Sequence, residues 1–387
     1  MPTVISSLSS RSNILNVSVF NLSLHTTAQS QVYIAVTTAD RTLSLLDSTS
    51  PTYEVAHSYP NFSDSPLLDM VAISKQLILT ASMSGRLVLY DTVRKQVVDE
   101  RKDHSKYIVK LACCHVGDTI LLASAGWDSK VFLYEIKLDG NTAQLGQPSA
   151  VLILPTIPET LAFVASPDDG PPILLVARRD SAFLHFYAIP GPDSPDLVAL
   201  GKQNLAPHSN AWVAFTPSDV QICPTDPSLI AVATSSTPHM KLLILKLLVP
   251  TKQSSLIDAV SAAGPDETLT QASQARAELL IQNREEAAIL VNVSTLAPQT
   301  QYSTPRLVWR PDGSGVYVSS DDGLVRGIEA ITGKLMASLK GHDAGSKLRC
   351  LWAGKVGASQ NDNDKVDAQQ EYLISGGFDQ KLIIWKA

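Results

Sequence analysis

Short apolar runs separated by Gly, Pro, Asp and Ser recur along the whole chain, and two stretches are near copies of one another. Residues 120–134 read ILLASAGWDSKVFLY and residues 371–385 read EYLISGGFDQKLIIW. Each holds an apolar run, a Ser, a small-residue turn containing an Asp, and a second apolar run closed by an aromatic. In both, the Ser lies four residues before the Asp and the aromatic six after it. Runs this short, bounded by turn formers, predict paired β-strands rather than helices.

The unit repeats at a fixed interval. Asp40, Ser84 and Asp128 hold the same place in TTADRTL, SMSGRLV and AGWDSKV, 44 residues apart each time, and Leu46, Tyr90 and Tyr134 keep that interval. A period in the forties with several short strands per unit is the mark of a β-propeller. The strands predicted for the first three blades are 14–21, 31–37, 42–46 and 53–57; 67–73, 76–81, 86–90 and 96–100; and 108–115, 119–124, 130–136 and 150–154. The fourth takes 160–165, 172–177, 182–188 and 197–200, and the fifth 219–223, 229–234, 240–247 and 287–293. The sixth takes 306–309, 316–320, 324–329 and 334–339, and the seventh only 348–352, 372–375 and 381–385. The missing outer strand of the last blade is expected from 3–7, TVISS, which would close the ring and cover its exposed edges. This arithmetic favours seven blades; an eighth would have to hide near 212–215.

Two segments interrupt the pattern within what reads as a single domain, 1–387. Residues 251–286 form an insertion in the fifth blade. Its 268–286 part is rich in Ala, Gln, Glu, Leu and Arg, which tolerate helix. Leu269, Ala272, Ala275 and Leu279 fall at three- and four-residue steps, so one face is expected to pack on the propeller edge. Residues 356–370, with DNDKVDAQQ inside, form a polar loop in the seventh blade. It accounts for His342 to Ser375 spanning 33 residues where His104 to Ser124 spans 20.

These units resemble the WD repeats of seven-bladed propellers. The resemblance is strongest at Gly341-His342 with Ser375, Asp379 and Trp385, and clear at His104 with Ser124, Asp128 and Tyr134. LSLLD at 43–47 and LVLYD at 87–91 are weaker copies. The resemblance implies that His, Ser, Asp and the aromatic form a buried structural hydrogen-bond network. Ser, His and Asp are also the residue types of a hydrolase triad, but recurrence in a second blade favours the structural role. It implies too that the residue before each turn Asp faces the upper surface near the central channel. Met83, Trp127, Arg179 and Phe378, joined by Lys106 and Tyr107 from the loop entering the third blade, are therefore the candidate partner-binding residues. Large apolar and Arg side chains at such places resemble interface hot spots.

Composition adds limits. The net charge of -6 and pI near 5.7 argue against a general nucleic-acid or anionic-membrane binder. Cys113, Cys114, Cys223 and Cys350 form no CxxC pair, so no metal is expected and free thiols in a reducing compartment are the better reading. Asn16, Asn21, Asn61 and Asn292 sit in sequons of low specificity. The opening MPTVISSLSS has neither a charged region nor a long apolar run, so no secretory signal is expected. Residues 242–249, LLILKLLV, are too short to span a bilayer. No P-loop, HExxH or GxSxG occurs. WDSK at 127–130 has the letters of a cullin-adaptor motif but lies before the strand rather than at its end. Arg178-Arg179 lacks the Gly of the phosphoinositide motif. The expectation is a soluble intracellular scaffold without cofactor, binding other proteins. A small-ester hydrolase with His185 or His239 in the channel is the alternative. Attachment to membrane or nucleic acid through a local basic patch is a third.

Overall fold

A computed structural model describes residues 2–24, 31–139, 142–191, 195–206, 216–250, 271–300, 302–356 and 370–386. The strands assemble into seven antiparallel sheets, each built from consecutive strands, arranged as the blades of a seven-bladed β-propeller. Blades 1 to 6 span 14–59, 67–101, 108–153, 158–204, 217–298 and 307–340. Blade 7 combines Leu348–Val356, Gln370–Gly377 and Lys381–Lys386 with the chain's first strand, Thr3–Ser9. That seam strand runs antiparallel to Lys381–Lys386, with Thr3 opposite Lys386 and Ser9 opposite Lys381. The 212–215 segment, where an eighth blade was conceivable, lies outside the described residues, and the ring closes with seven.

Burial follows strand position. The middle strands, such as Leu77–Ser82 and Leu87–Asp91, are buried on both faces because each sheet is sandwiched between two others. Their sequences, LILTAS and LVLYD, are accordingly apolar without alternation. Outer strands such as Gln96–Arg101 and Leu335–Lys340 are largely exposed. Seven apolar clusters fill the seven gaps between adjacent blades, including blades 7 and 1. The ring is thus held by apolar packing all the way round, since apolar surface leaves water only when a neighbouring blade covers it.

The innermost strand of each blade touches that of the next in a closed circuit around the channel. Six of them open with a β-bulge, at Leu15, Leu68, Val109, Glu159, Ser218 and Arg349, the residues left unpaired against the second strand. In blade 6, Arg306 of RLVW occupies the place that Arg349 holds in RCLW. A bulge twists its strand and re-aims a side chain. Here five of the six bulge residues line the channel mouth, and Leu15 lines the narrower channel below it.

Blade 3 has a fifth strand, Thr142–Gln144, which pairs with the far end of Lys130–Asp139, whereas Ala150–Ile153 pairs with its start. In blade 5 the helix is Gln271–Ala288 and runs directly into the outer strand Ile289–Pro298. The expected strand start at Ala287 is therefore corrected: Ala287 and Ala288 are helical. Of the expected packing face only Leu279 can be placed. Leu279 is 55% exposed, while Leu269 and the side chains of Ala272 and Ala275 lie outside the described residues. Among the described residues the helix docks through its last turns. Ala288 is buried, and buried Glu285 accepts a hydrogen bond from the Asn204 backbone N–H (2.8 Å) at the outer strand of blade 4. Residues 251–270 and 357–369, the rest of the insertion and nearly all the polar loop, lie outside the described residues.

Among the described residues no helix is long and apolar enough to cross a membrane, and no cluster of His, Cys, Asp and Glu is placed to hold a metal. All four cysteines are free.

Candidate interaction surface at the channel mouth

Two polar networks stand behind the upper surface. In blade 7, His342 Nδ1 lies 2.9 Å from Asp379 Oδ2, and His342 Nε2 lies 2.8 Å from Ser375 Oγ. Trp385 Nε1–H donates to the same Ser375 Oγ at 2.9 Å, and the Asp343 N–H donates to Asp379. A carboxylate only accepts, so Nδ1 carries the proton, Nε2 accepts from the Ser375 hydroxyl, and the Ser375 oxygen accepts from the indole. Every buried polar group is satisfied. Burial holds the His342 imidazole below its ordinary value, against the pull of Asp379. The Gly before His342 is required by contact: a Cβ on Gly341 would come within 2.8 Å of both Trp385 and Ile383.

Blade 3 repeats the core of this network with a different end. His104 bridges Asp128 (2.9 Å) and Ser124 (2.9 Å), and the Ser105 N–H caps Asp128. Burial would raise the Asp128 carboxyl, but the hydrogen bonds and charge of His104 and the amides of Ser105 and Lys130 outweigh it and leave it low. Gly126 leaves room for the imidazole, because its Cβ would meet His104 Nδ1 at 2.2 Å. Tyr134 replaces the Trp and donates its hydroxyl to Asp103 (3.0 Å), which is gripped by Arg101 through two contacts of 2.7 and 2.8 Å. Asp103 stands where blade 7 has Gly341. The smaller phenol ring leaves space for a side chain there, and that side chain supplies the acceptor the phenol needs.

Blade 6 has a variant that the sequence reading missed. Buried Arg326 donates to Ser320 Oγ (3.0 Å) and to Asp322 Oδ2 (2.6 Å), filling the role of the absent His. The signal was Arg326 four residues after Asp322, readable only once both were known to face the same gap. These Ser, His and Asp groups are hydrogen-bonded within their own blades.

The upper mouth itself is a cavity of about 550 Å³ lined by Met83, Tyr107, Trp127 and Arg179 together with the bulge residues Leu68, Val109, Glu159, Ser218 and Arg349, and Arg306. Trp127 is 36% exposed and stacks on Tyr107 with ring centroids 5.3 Å apart. The Arg179 guanidinium lies 5.2 Å from the Trp127 ring and bonds Glu159 at 2.5 Å. The structure thus brings four of the six candidate surface residues together. Phe378 and Lys106 are exposed but do not line this cavity. The bulge residues were not singled out beforehand. Their signal is the second residue of each inner strand, as in LLDM, IVKL, PETL, PSDV and LRCL.

Below the mouth the channel narrows to about 180 Å³, lined by Asn16, Asp69, Lys110, Asp219 and Cys350 among others. The carboxylates tie blades together. Asp69 accepts from Asn16 Nδ2 and from the Leu111 N–H of the next blade (2.7 Å), and Asp219 accepts from the Leu307 N–H (3.2 Å). Burial pushes the Cys350 thiol up to about 12, so it is inert as a nucleophile. His185 and His239 line neither cavity. His185 receives hydrogen bonds from Arg178 Nε (3.1 Å) and contacts Ser181, and burial, then Arg178 and Lys202, press it down to about 4. His239 is exposed at the start of a strand in blade 5.

The architecture defines a seven-bladed propeller with a shaped, aromatic-rimmed upper mouth. The chain belongs to a family described as a beta-propeller domain, whose model matches residues 7–386. No curated protein matches it.

Proposed function

We propose that this protein is a WD-repeat-type scaffold with no reaction of its own, which docks a protein partner at the upper channel mouth. The observation that carries the reading is the Tyr107–Trp127–Arg179 stack standing partly exposed over a cavity of about 550 Å³. Rigid aromatics and Arg beside a desolvating hollow are what interface anchors consist of. The His–Ser–Asp networks of blades 3 and 7 support the WD-repeat assignment, and free thiols, two buried and two half-buried, suit the cytoplasm or nucleus.

The hydrolase reading draws no support from the channel, because His185 and His239 lie away from it. Attachment to an anionic surface through Arg178 and Arg179 draws none either, since one is bonded to His185 and the other to Glu159. The test is co-purification of the tagged full chain from native extract beside Trp127→Ala and Arg179→Ala. Truncating an anchor costs about 2 kcal/mol or more of binding, whereas a surface change alters stability by only about 0.5 kcal/mol. We expect a stoichiometric partner that both variants lose without a drop in melting temperature. A wild-type chain that elutes alone, or a partner that both variants keep, would overturn the proposal.

A further inference from the structure

Seven side chains ring the throat, one per blade, and they are not evenly mixed. In blades 1 to 3 they are Leu15, Leu68 and Val109; in blades 6 and 7 they are Arg306 and Arg349. Leu68, Arg306 and Arg349 line both the mouth and the narrower channel, so the two guanidiniums stand at the junction. Arg349 makes no hydrogen bond or ion pair among the described residues. Burial, and next the charge of Arg306, pull it down to about 10. Among the described residues the Arg306 guanidinium has only Asp219, at 3.7 Å, which it shares with Lys110 at 3.7 Å and with the backbone amides of Val220 and Leu307. Asp69 is taken up by Asn16, Met70 and Leu111, and Glu159 by Arg179. Asp180 also lines the mouth and is exposed. Over mouth and channel together Lys110, Arg179, Arg306 and Arg349 balance Asp69, Glu159, Asp180 and Asp219 in number, but the carboxylates other than Asp180 are engaged while the Arg349 guanidinium is not.

We propose that Arg306 and Arg349 are a carboxylate-recognition pair, taking an Asp or Glu side chain of a partner peptide whose adjacent apolar side chain rests on Leu68, Val109 and Trp127. This rests on the reading of the mouth as a docking surface and adds the chemistry of what docks. A guanidinium binds a carboxylate through two parallel hydrogen bonds, which fixes both geometry and charge. One guanidinium without a partner of its own matches one carboxylate; a dianionic phosphate would bring a second negative charge toward Asp219. The apolar arc opposite supplies the second contact, so the site reads an acidic residue beside an apolar one.

The probe is a displayed library of unmodified random peptides about twelve residues long, enough to cover a standard recognition groove, selected on the full chain. Selected peptides should share one Asp or Glu next to an apolar residue. Changing that residue to Asn should weaken binding about tenfold or more, as loss of a charge-assisted pair does. Arg349→Met and Arg306→Met should bind the acid and amide peptides equally, and Arg349→Lys should fall between. Arg349→Met should melt no lower than wild type, because it removes a half-buried charge that makes no hydrogen bond or ion pair among the described residues. A fall in melting temperature would mean that Arg349 is structural and would overturn the proposal. Peptides with no acidic requirement, an acid preference that survives both Met variants, or a tenfold preference for phosphoserine over Asp would each sink the carboxylate pair. In those cases docking at the mouth would still stand on loss of the peptides by Trp127→Ala. Selection that yields no peptide would overturn the throat site, while the native-extract comparison would still judge the docking surface.

Discussion

Ser375 receives the indole of Trp385 and gives its own proton to His342, and Gly341 exists so that the indole can lie there. Blade 3 solves the same problem with Tyr134 and Asp103. The two pairs form a natural exchange. Tyr134→Trp alone should clash with Asp103 and destabilise by about 1–3 kcal/mol, as overpacking does. Adding Asp103→Gly should recover most of that, giving a coupling energy of about 1–2 kcal/mol in a double-mutant cycle read by urea denaturation. Simple additivity would refute the exchange. The histidines make a second prediction. His342 is held low chiefly by burial, and His185 is pressed to about 4 by burial and the Arg178 and Lys202 charges. The unfolded chain then takes protons first as pH falls below the ordinary His value near 6.5. Their contribution is complete above pH 6.5 and is lost on acidification toward 4. Denaturation midpoints should fall between pH 7 and 4.5, and His185→Gln should make that fall shallower; an unchanged slope would refute it. Tyr134 showed in the sequence as an aromatic lacking its usual partner. Asp103 holds the place before His104 that Gly341 holds before His342, but spacing alone does not show that the Tyr134 hydroxyl reaches it.

The seam strand, Thr3–Ser9, leaves Val4 and Ile5 about half exposed, and only Leu8 joins the core between blades 7 and 1. Its value lies in backbone pairing with Lys381–Lys386 and in covering that edge. Deleting residues 2–9 removes about six paired positions. At roughly 0.5–1.5 kcal/mol net per backbone hydrogen bond, the loss is on the order of 3–9 kcal/mol. The bared edge should also drive self-association, visible by size-exclusion chromatography. A truncated chain that stays monomeric with an unchanged urea midpoint would show that the seam is dispensable. The seam was legible because blade 7 came up one strand short and the chain's start had one spare. The docking of the helix was not. Its three- and four-residue steps suggested an apolar face, yet contact is made by Glu285 and Ala288 at its end, with Leu280 70% exposed. Periodicity reports which residues share a face, not whether anything lies opposite that face. The fifth strand of blade 3, Thr142–Gln144, was likewise hidden, since three residues carry no alternation to read.

At the scale of the ring, the repeat interval and the strand count were enough to place all seven blades, because each gap between blades must be filled with apolar side chains and those side chains are what the eye picks out in the sequence. The channel mouth was half legible. Turn positions pointed to Met83, Trp127 and Arg179, whereas Arg306 and Arg349 come from inner-strand starts, and Arg349 is turned to the mouth by an extra residue that periodicity treats as noise. Phe378 was chosen by the same turn rule as Trp127 yet does not line the cavity. The seam has a further consequence in time. Ser9 and its partner Lys381 are separated by nearly the entire chain. At about 5–20 residues per second of synthesis, the first strand waits roughly 20–75 s for the strand it must join. Throughout that interval Val4, Ile5 and Leu8 hang unsheltered from a nascent, open horseshoe. Slow translation, or a shortage of whatever shields such ends at the ribosome, should harm this protein more than a fold of equal length that finishes piece by piece.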